Sequence, residues 1–120
     1  MEEKEREALV GALEEFLNEG LERVILSSPA DGEEIRKVRI RPILLRGELV
    51  FQAEEQRGTQ AFHKNMNREE TAAYVAGLLA GSLKQMELSA AGGTVHALVS
   101  KKGKMTVKIR RKMAVPAGGL

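Results

Sequence analysis

Between Arg36 and Asn65 the chain reads RKVRIRPILLRGELVFQAEEQRGTQAFHKN, and its first half alternates strictly. Val38 and Ile40 have one parity; Lys37, Arg39 and Arg41 have the other. Successive side chains of a strand face opposite sides of a sheet, so one face goes to a core and the other becomes a row of cations. Arg46-Gly47 then predicts a tight reversal into a strand over residues 48–54, because glycine accepts the positive φ of a two-residue hairpin turn. Near the C-terminus the pattern returns: Met105, Val107 and Ile109 alternate with Thr106, Lys108 and Arg110.

The rest of the chain supplies partners for these strands. Leu9, Leu13, Phe16 and Leu17 recur at helical spacing within residues 2–19, with Glu2, Glu3, Glu5 and Glu7 at the positive end of the helix dipole and Gly20 closing the helix. Leu21 to Ser27 is apolar and β-branched enough for a strand, and Ser28-Pro29-Ala30-Asp31-Gly32 reads as a loop punctuated by its proline and glycine. Pro42 lacks a ladder donor, which places its strand at an edge or at a bulge there. Gln56-Arg57-Gly58 interrupts the next strand, leaving residues 59–64 either past a bulge or in a short extra strand. Asn67 with Glu70 has capping-box spacing and opens a second helix whose buried stripe is expected to run through Tyr74, Val75, Leu78, Leu79, Leu83 and Met86. Gly77 and Gly81 weaken that helix, and close approach to the sheet would offset the loss. Residues 86–90, 94–100 and 105–110 have strand character. The expected fold is α+β: an antiparallel sheet of five or six strands with two helices packed on one face.

At 120 residues this is a single domain, residues 1–112, followed by MAVPAGGL (113–120), which reads as the start of a linker. There is no cysteine, so no disulfide, thiolate nucleophile or cysteine-ligated zinc is available. No apolar run approaches the roughly 20 residues of a membrane helix, and the acidic N-terminus is unlike a signal peptide, so a cytoplasmic protein with no membrane partner is expected. The net charge of +2 conceals a split: residues 1–35 hold three Lys/Arg and eleven Asp/Glu, whereas residues 36–120 hold sixteen and six. Such asymmetry suits an anionic partner on the basic part.

Three sets of residues are candidates. Lys37, Arg39, Arg41, Lys108 and Arg110 would form a cationic sheet face able to neutralise phosphates; the alternative is solvated charge that keeps a sheet from aggregating. Lys101, Lys102 and Lys104 cluster in a KKGK turn that extends the same charge. Gln60, His63, Lys64 and Asn65 form a candidate loop site before a helix N-terminus, although Glu69 and Glu70 in the first turn oppose anion binding there. With four aromatic residues in all, base stacking is a poor mode for this chain. The two histidines, His63 and His96, lack ligand spacing, so no metal site is expected, and no pairing of nucleophile with base suggests catalysis.

KVRIRPILLRGELVFQ, then TQAFHKN, a helix, and LVSKKGKMTVKIRRK resembles the N-terminal region of a group of bacterial proteins assigned as class I S-adenosylmethionine-dependent methyltransferases. The similarity runs from about residue 36 to residue 112. It implies an accessory domain that precedes a Rossmann-like catalytic domain outside this chain, with residues 113–120 as the interdomain linker and no cofactor residues here. On that basis the chain is expected to be no enzyme by itself and to recruit RNA through its basic face. The alternative is a protein–protein module that docks on the catalytic domain or on a second copy to form a homodimer.

Overall fold

The computed structural model describes residues 3–18, 20–28, 36–57, 59–81 and 83–111. The 113–120 linker segment and all of the 28–32 loop except Ser28 lie outside them. Nine elements follow in order: α1 (Glu3–Asn18), β1 (Leu21–Ser27), β2 (Lys37–Leu45), β3 (Glu48–Arg57), β4 (Gln60–Met66), α2 (Arg68–Ala80), β5 (Gln85–Ala90), β6 (Gly93–Val99) and β7 (Met105–Arg111). The strands make one antiparallel sheet in the order β4-β3-β2-β1-β5-β6-β7. The α+β class holds. The strand number is seven rather than five or six, because residues 60–66 pair with β3 as a strand of their own.

Both helices cover the same face. Leu9, Leu13, Phe16 and Leu17 of α1 join Ala72, Val75, Ala76 and Leu79 of α2 in one core with Val24, Leu26, Val38, Ile40, Phe51, Leu88 and Val95 from the sheet. Burying a side chain such as Ile40 or Leu88 contributes about 1.5–3 kcal/mol each, so this aliphatic layer is the main source of stability. Cover thins toward the sheet's edges. On β7, Met105 and Val107 are only partly buried and Ile109 is 44% exposed, while on β4 only Met66 is buried.

The capping box at the start of α2 is formed: Glu70 N–H donates to Asn67 Oδ1 (2.8 Å), and Asn67 N–H donates to Glu70 Oε1 (3.1 Å). The helix is shorter than its apolar spacing suggests. Gly81 ends it, so buried Leu83 and Met86 belong to the chain beyond, Met86 within β5. Nor does Gly77 bring the helix close to the sheet. It is exposed, and a Cβ there would meet only Arg6 Nη2 at 3.9 Å.

Pro42 is accommodated without a bulge. Hydrogen bonding of Ser28 N–H to Arg36 C=O shows that even-numbered residues at this end of β2 aim their backbone groups at β1. The β1–β2 ladder ends at Val24↔Ile40, so Pro42 stands beyond the paired residues and its missing N–H breaks no bond to β1. Beyond this point β2 pairs only with β3, and β3 has no β4 partner before Phe51↔Met66. Residues 43–45 and 48–50 therefore form a two-stranded arm about 10 Å long that pairs with neither neighbour. Its turn has φ 51° at Arg46 and 79° at Gly47, the pair of positive values a type I′ hairpin turn requires.

Candidate nucleic-acid interface

The face away from the helices is assembled by register. One row crosses all seven strands: His63, Glu54, Arg39, Ile25, Glu87, His96 and Lys108, each opposite the next. The row nearer the arm contains Asn65, Gln52 and Arg41 on one side and Arg23, Ser89, Thr94 and Arg110 on the other. The row farther from it runs Lys37, Ser27, Gln85, Leu98, Thr106. Lys37, Arg39, Arg41, Lys108 and Arg110 thus share this face, and all are exposed.

They do not form a single patch. β1, β5 and β6 lie between β2 and β7, and four inter-strand steps put the two cation columns roughly 19 Å apart. Between them lies a concavity of about 860 Å³ over β1, β5, β6 and β7, with Ile25, Ser27, Glu87, His96 and Leu98 in its wall and Lys108 and Arg110 on the β7 side. Arg23 stands on β1 between the columns. Its position was not among the expected ones, although its parity with Ile25 and Ser27, opposite to Val24 and Leu26, marks the same face.

Two carboxylates interrupt the positive field. Glu54 Oε2 is 3.7 Å from His63 Nε2, and Glu87 Oε1 is 3.5 Å from His96 Nδ1. The cations themselves are unengaged. Among the described residues no ion pair involves Lys37, Arg39, Arg41, Lys102, Lys104, Lys108 or Arg110. On the helix side three arginines are paired. Arg36 makes a two-point contact with Glu55, Arg111 Nη1 lies 2.8 Å from Glu15 Oε1 and its guanidinium stacks over Phe16, and Arg68 Nη2 lies 3.7 Å from Glu69. The hydrogen bond that Arg36 donates to Glu55 raises the Arg36 pKa against the effect of burial, so this guanidinium stays charged and pins the start of β2 to β3.

Lys101, Lys102 and Lys104 occupy the β6–β7 hairpin, at the end of the sheet opposite the arm. Ser100 N–H donates to Lys104 C=O, Lys104 N–H donates to Ser100 Oγ, and Gly103 takes φ 84°, which holds the turn tight with the lysines exposed. The expected loop site is not a loop. Gln60, His63, Lys64 and Asn65 lie on β4 and split between its faces: His63 and Asn65 open outward, Asn65 accepting from Gln52 Nε2 (3.2 Å), whereas Lys64 sits 5.4 Å from the Tyr74 ring on the helix side. The adjacent N-terminus of α2 is closed by its own capping box.

No aromatic side chain belongs to the open face. Phe16 and Phe51 are buried, and Phe62 and Tyr74 lie on the helix side. The face can therefore bind a polyanion by charge and by hydrogen bonds from Ser, Thr and Gln, without stacking on bases. Among the described residues no three His, Cys, Asp or Glu side chains gather as a metal site, and no helix is long and apolar enough to cross a membrane. The chain matches no family model, no curated protein and no solved structure.

Proposed function

We infer that this domain is a non-catalytic module that holds structured RNA on its open sheet face. The observation that carries the reading is the contrast in charge pairing: Arg36, Arg68 and Arg111 on the helix side have carboxylate partners, whereas among the described residues no ion pair involves Lys37, Arg39, Arg41, Lys108 or Arg110 on the open face, or Lys102 and Lys104 of the hairpin. Unpaired lysines and arginines gain most from phosphate, because binding releases condensed counterions without breaking an existing ion pair. Two columns some 19 Å apart suit the separate backbone runs of a folded RNA better than one extended strand. The lack of aromatic platforms supports recognition of shape and backbone over sequence.

The resemblance to S-adenosylmethionine-dependent methyltransferases supports placing the module in a cytoplasmic bacterial enzyme whose catalytic domain follows residue 120. The domain would then deliver substrate, and the methyl transfer and its cofactor would belong to that following domain. A reading frame that continues into a strand and a glycine-rich turn agrees with this placement. A stop codon after residue 120 overturns it and leaves RNA binding to its own test.

That test is filter binding of the 120-residue chain to transfer RNA across a salt series. Retention should fall steeply as salt rises, with a log–log slope of several units, at roughly 0.7–0.9 per phosphate neutralised. Replacing Lys108 and Arg110 with glutamate should reduce both affinity and slope. Retention that is absent, or indifferent to salt, refutes the reading.

A further inference from the structure

The apolar arm carries a single cation, Arg46, and its chemistry points to a different partner from the open face. Leu44 is 76% exposed, Leu49 55% and Leu45 46%, among the most exposed large apolar side chains described. Register places Leu44 and Leu49 together on the helix side of the arm, and Ile43, Val50 and Leu45 on its other side. The arm is thus apolar on both faces, where the rest of the sheet is apolar on one. Its only charges, Arg46 and Glu48, are of opposite sign and flank Gly47 at the tip. Neither has an ion-pair partner among the described residues.

We propose that the β2–β3 arm is a homodimerisation arm, covered by the same arm of a second copy of this chain across a two-fold axis. A two-fold contact uses one patch twice, so the patch must be complementary to itself. The open sheet face fails this condition, since it would set lysines and arginines against their own copies. The outer face of α1 fails it too, with Glu3, Glu7 and Glu14 outnumbering Arg6. The arm satisfies it. Leucines meet leucines, and the antiparallel crossing brings Arg46 to the partner's Glu48 and Glu48 to the partner's Arg46. Pro42 blunts the free edge of β2 at the arm's base, which disfavours strand addition on that edge, and the exposed leucines favour face-to-face packing. Two arms this short bury less than the roughly 800 Å² per partner of a standard stable interface, so the dimer is a reversible one with a dissociation constant in the micromolar range.

The inference does not depend on RNA binding, and its test contains no RNA. Sedimentation velocity of the 120-residue chain from about 1 to about 200 μM brackets the affinity expected for an interface of this size. The expected result is a monomer–dimer shift within that range. Leu44→Glu should move its midpoint at least tenfold higher in concentration, with Leu49→Lys as an independent variant, and neither should lower the melting temperature because both side chains are largely exposed. Arg46→Asp should weaken the dimer about threefold, and Arg46→Asp with Glu48→Arg should restore it. A monomer throughout overturns the proposal. So does a dimer indifferent to both leucine variants, or a charge exchange that fails to restore association.

Discussion

The two hairpins at opposite ends of the sheet solve the same geometric problem with opposite chemistry. The β2–β3 turn, Arg46-Gly47, and the β6–β7 turn, through Gly103, both reverse the chain on glycine at positive φ. One carries Leu44, Leu45 and Leu49 past the sheet with its strands unsupported on either side; the other carries Lys101, Lys102 and Lys104 on strands paired to their ends. Exposed leucine loses free energy in water and gains it against another apolar surface, whereas exposed lysine is well solvated and gains only against an anion. The same local fold therefore presents two kinds of surface, and the sheet between keeps them apart.

The largest expected effect separates the hairpins by unfastening one of them. Gly93 has φ 145°, and a Cβ there would stand 2.2 Å from Arg110 O and 2.9 Å from Arg111 Cα. Both are backbone atoms, so β7 would have to move. Gly93→Ala should cost about 3 kcal/mol or more in a melting experiment. Hydrogen exchange should show β7 and the lysine hairpin losing protection while β2 and β3 keep theirs. Equal loss at both ends would mean the sheet opens as one unit and the hairpins are not separable.

Next in size is the loss of the lysine hairpin's charge. Replacing Lys101, Lys102 and Lys104 with alanine should weaken transfer-RNA retention at low salt about tenfold or more and lower the salt slope by about 2–3. Leu44→Glu, at the other end, should leave the slope of a monomer unchanged. A smaller change of opposite sign is expected inside the open face. Glu87 stands in the row between Arg39 and Lys108, so Glu87→Gln removes a repulsive charge and should tighten retention about two- to fivefold.

How much of this could be read from the chain differs between elements for physical reasons. Parity and turn chemistry are local, so the cation columns of β2 and β7, the Arg46-Gly47 reversal and the Asn67–Glu70 capping box were all legible. Edge strands are not half-buried, and β4 is exposed from Gln60 to Asn65, which erased the alternation that would have identified it as a seventh strand. The apolar spacing predicts too long an α2, because Leu83 and Met86 continue it by accident past a glycine that ends the helix. Strand order is non-local. Nothing in the residues of β1 says that it lies between β2 and β5, so neither the 19 Å gap between the cation columns nor the place of Arg23 within it could be foreseen. The arm was hidden for the same reason: IRPILLRGELVF reads as an ordinary hairpin until the neighbours are seen to stop short of its tip.

The smallest effect tests whether the arm's shape is set by its turn alone. Arg46 takes φ 51°, a left-handed value that costs a residue with a Cβ about 1 kcal/mol or more, and that asparagine tolerates because its short side chain bonds to the local backbone. Asn-Gly is the favoured pair for this turn type. Arg46→Asn should therefore stabilise the chain by about 0.5 kcal/mol, while Gly47→Ala should destabilise it by about 1 kcal/mol. Nothing lies within 4 Å of the Gly47 Cβ position, so that second cost is purely torsional. The pair of melting curves gives a sign as well as a size. If the asparagine variant is less stable than the parent, arginine is contributing a contact in the associated form that outweighs its torsional cost, and the deficit should then grow with protein concentration. If the gain appears at every concentration, the turn is an independent local unit and the leucines alone determine what the arm meets.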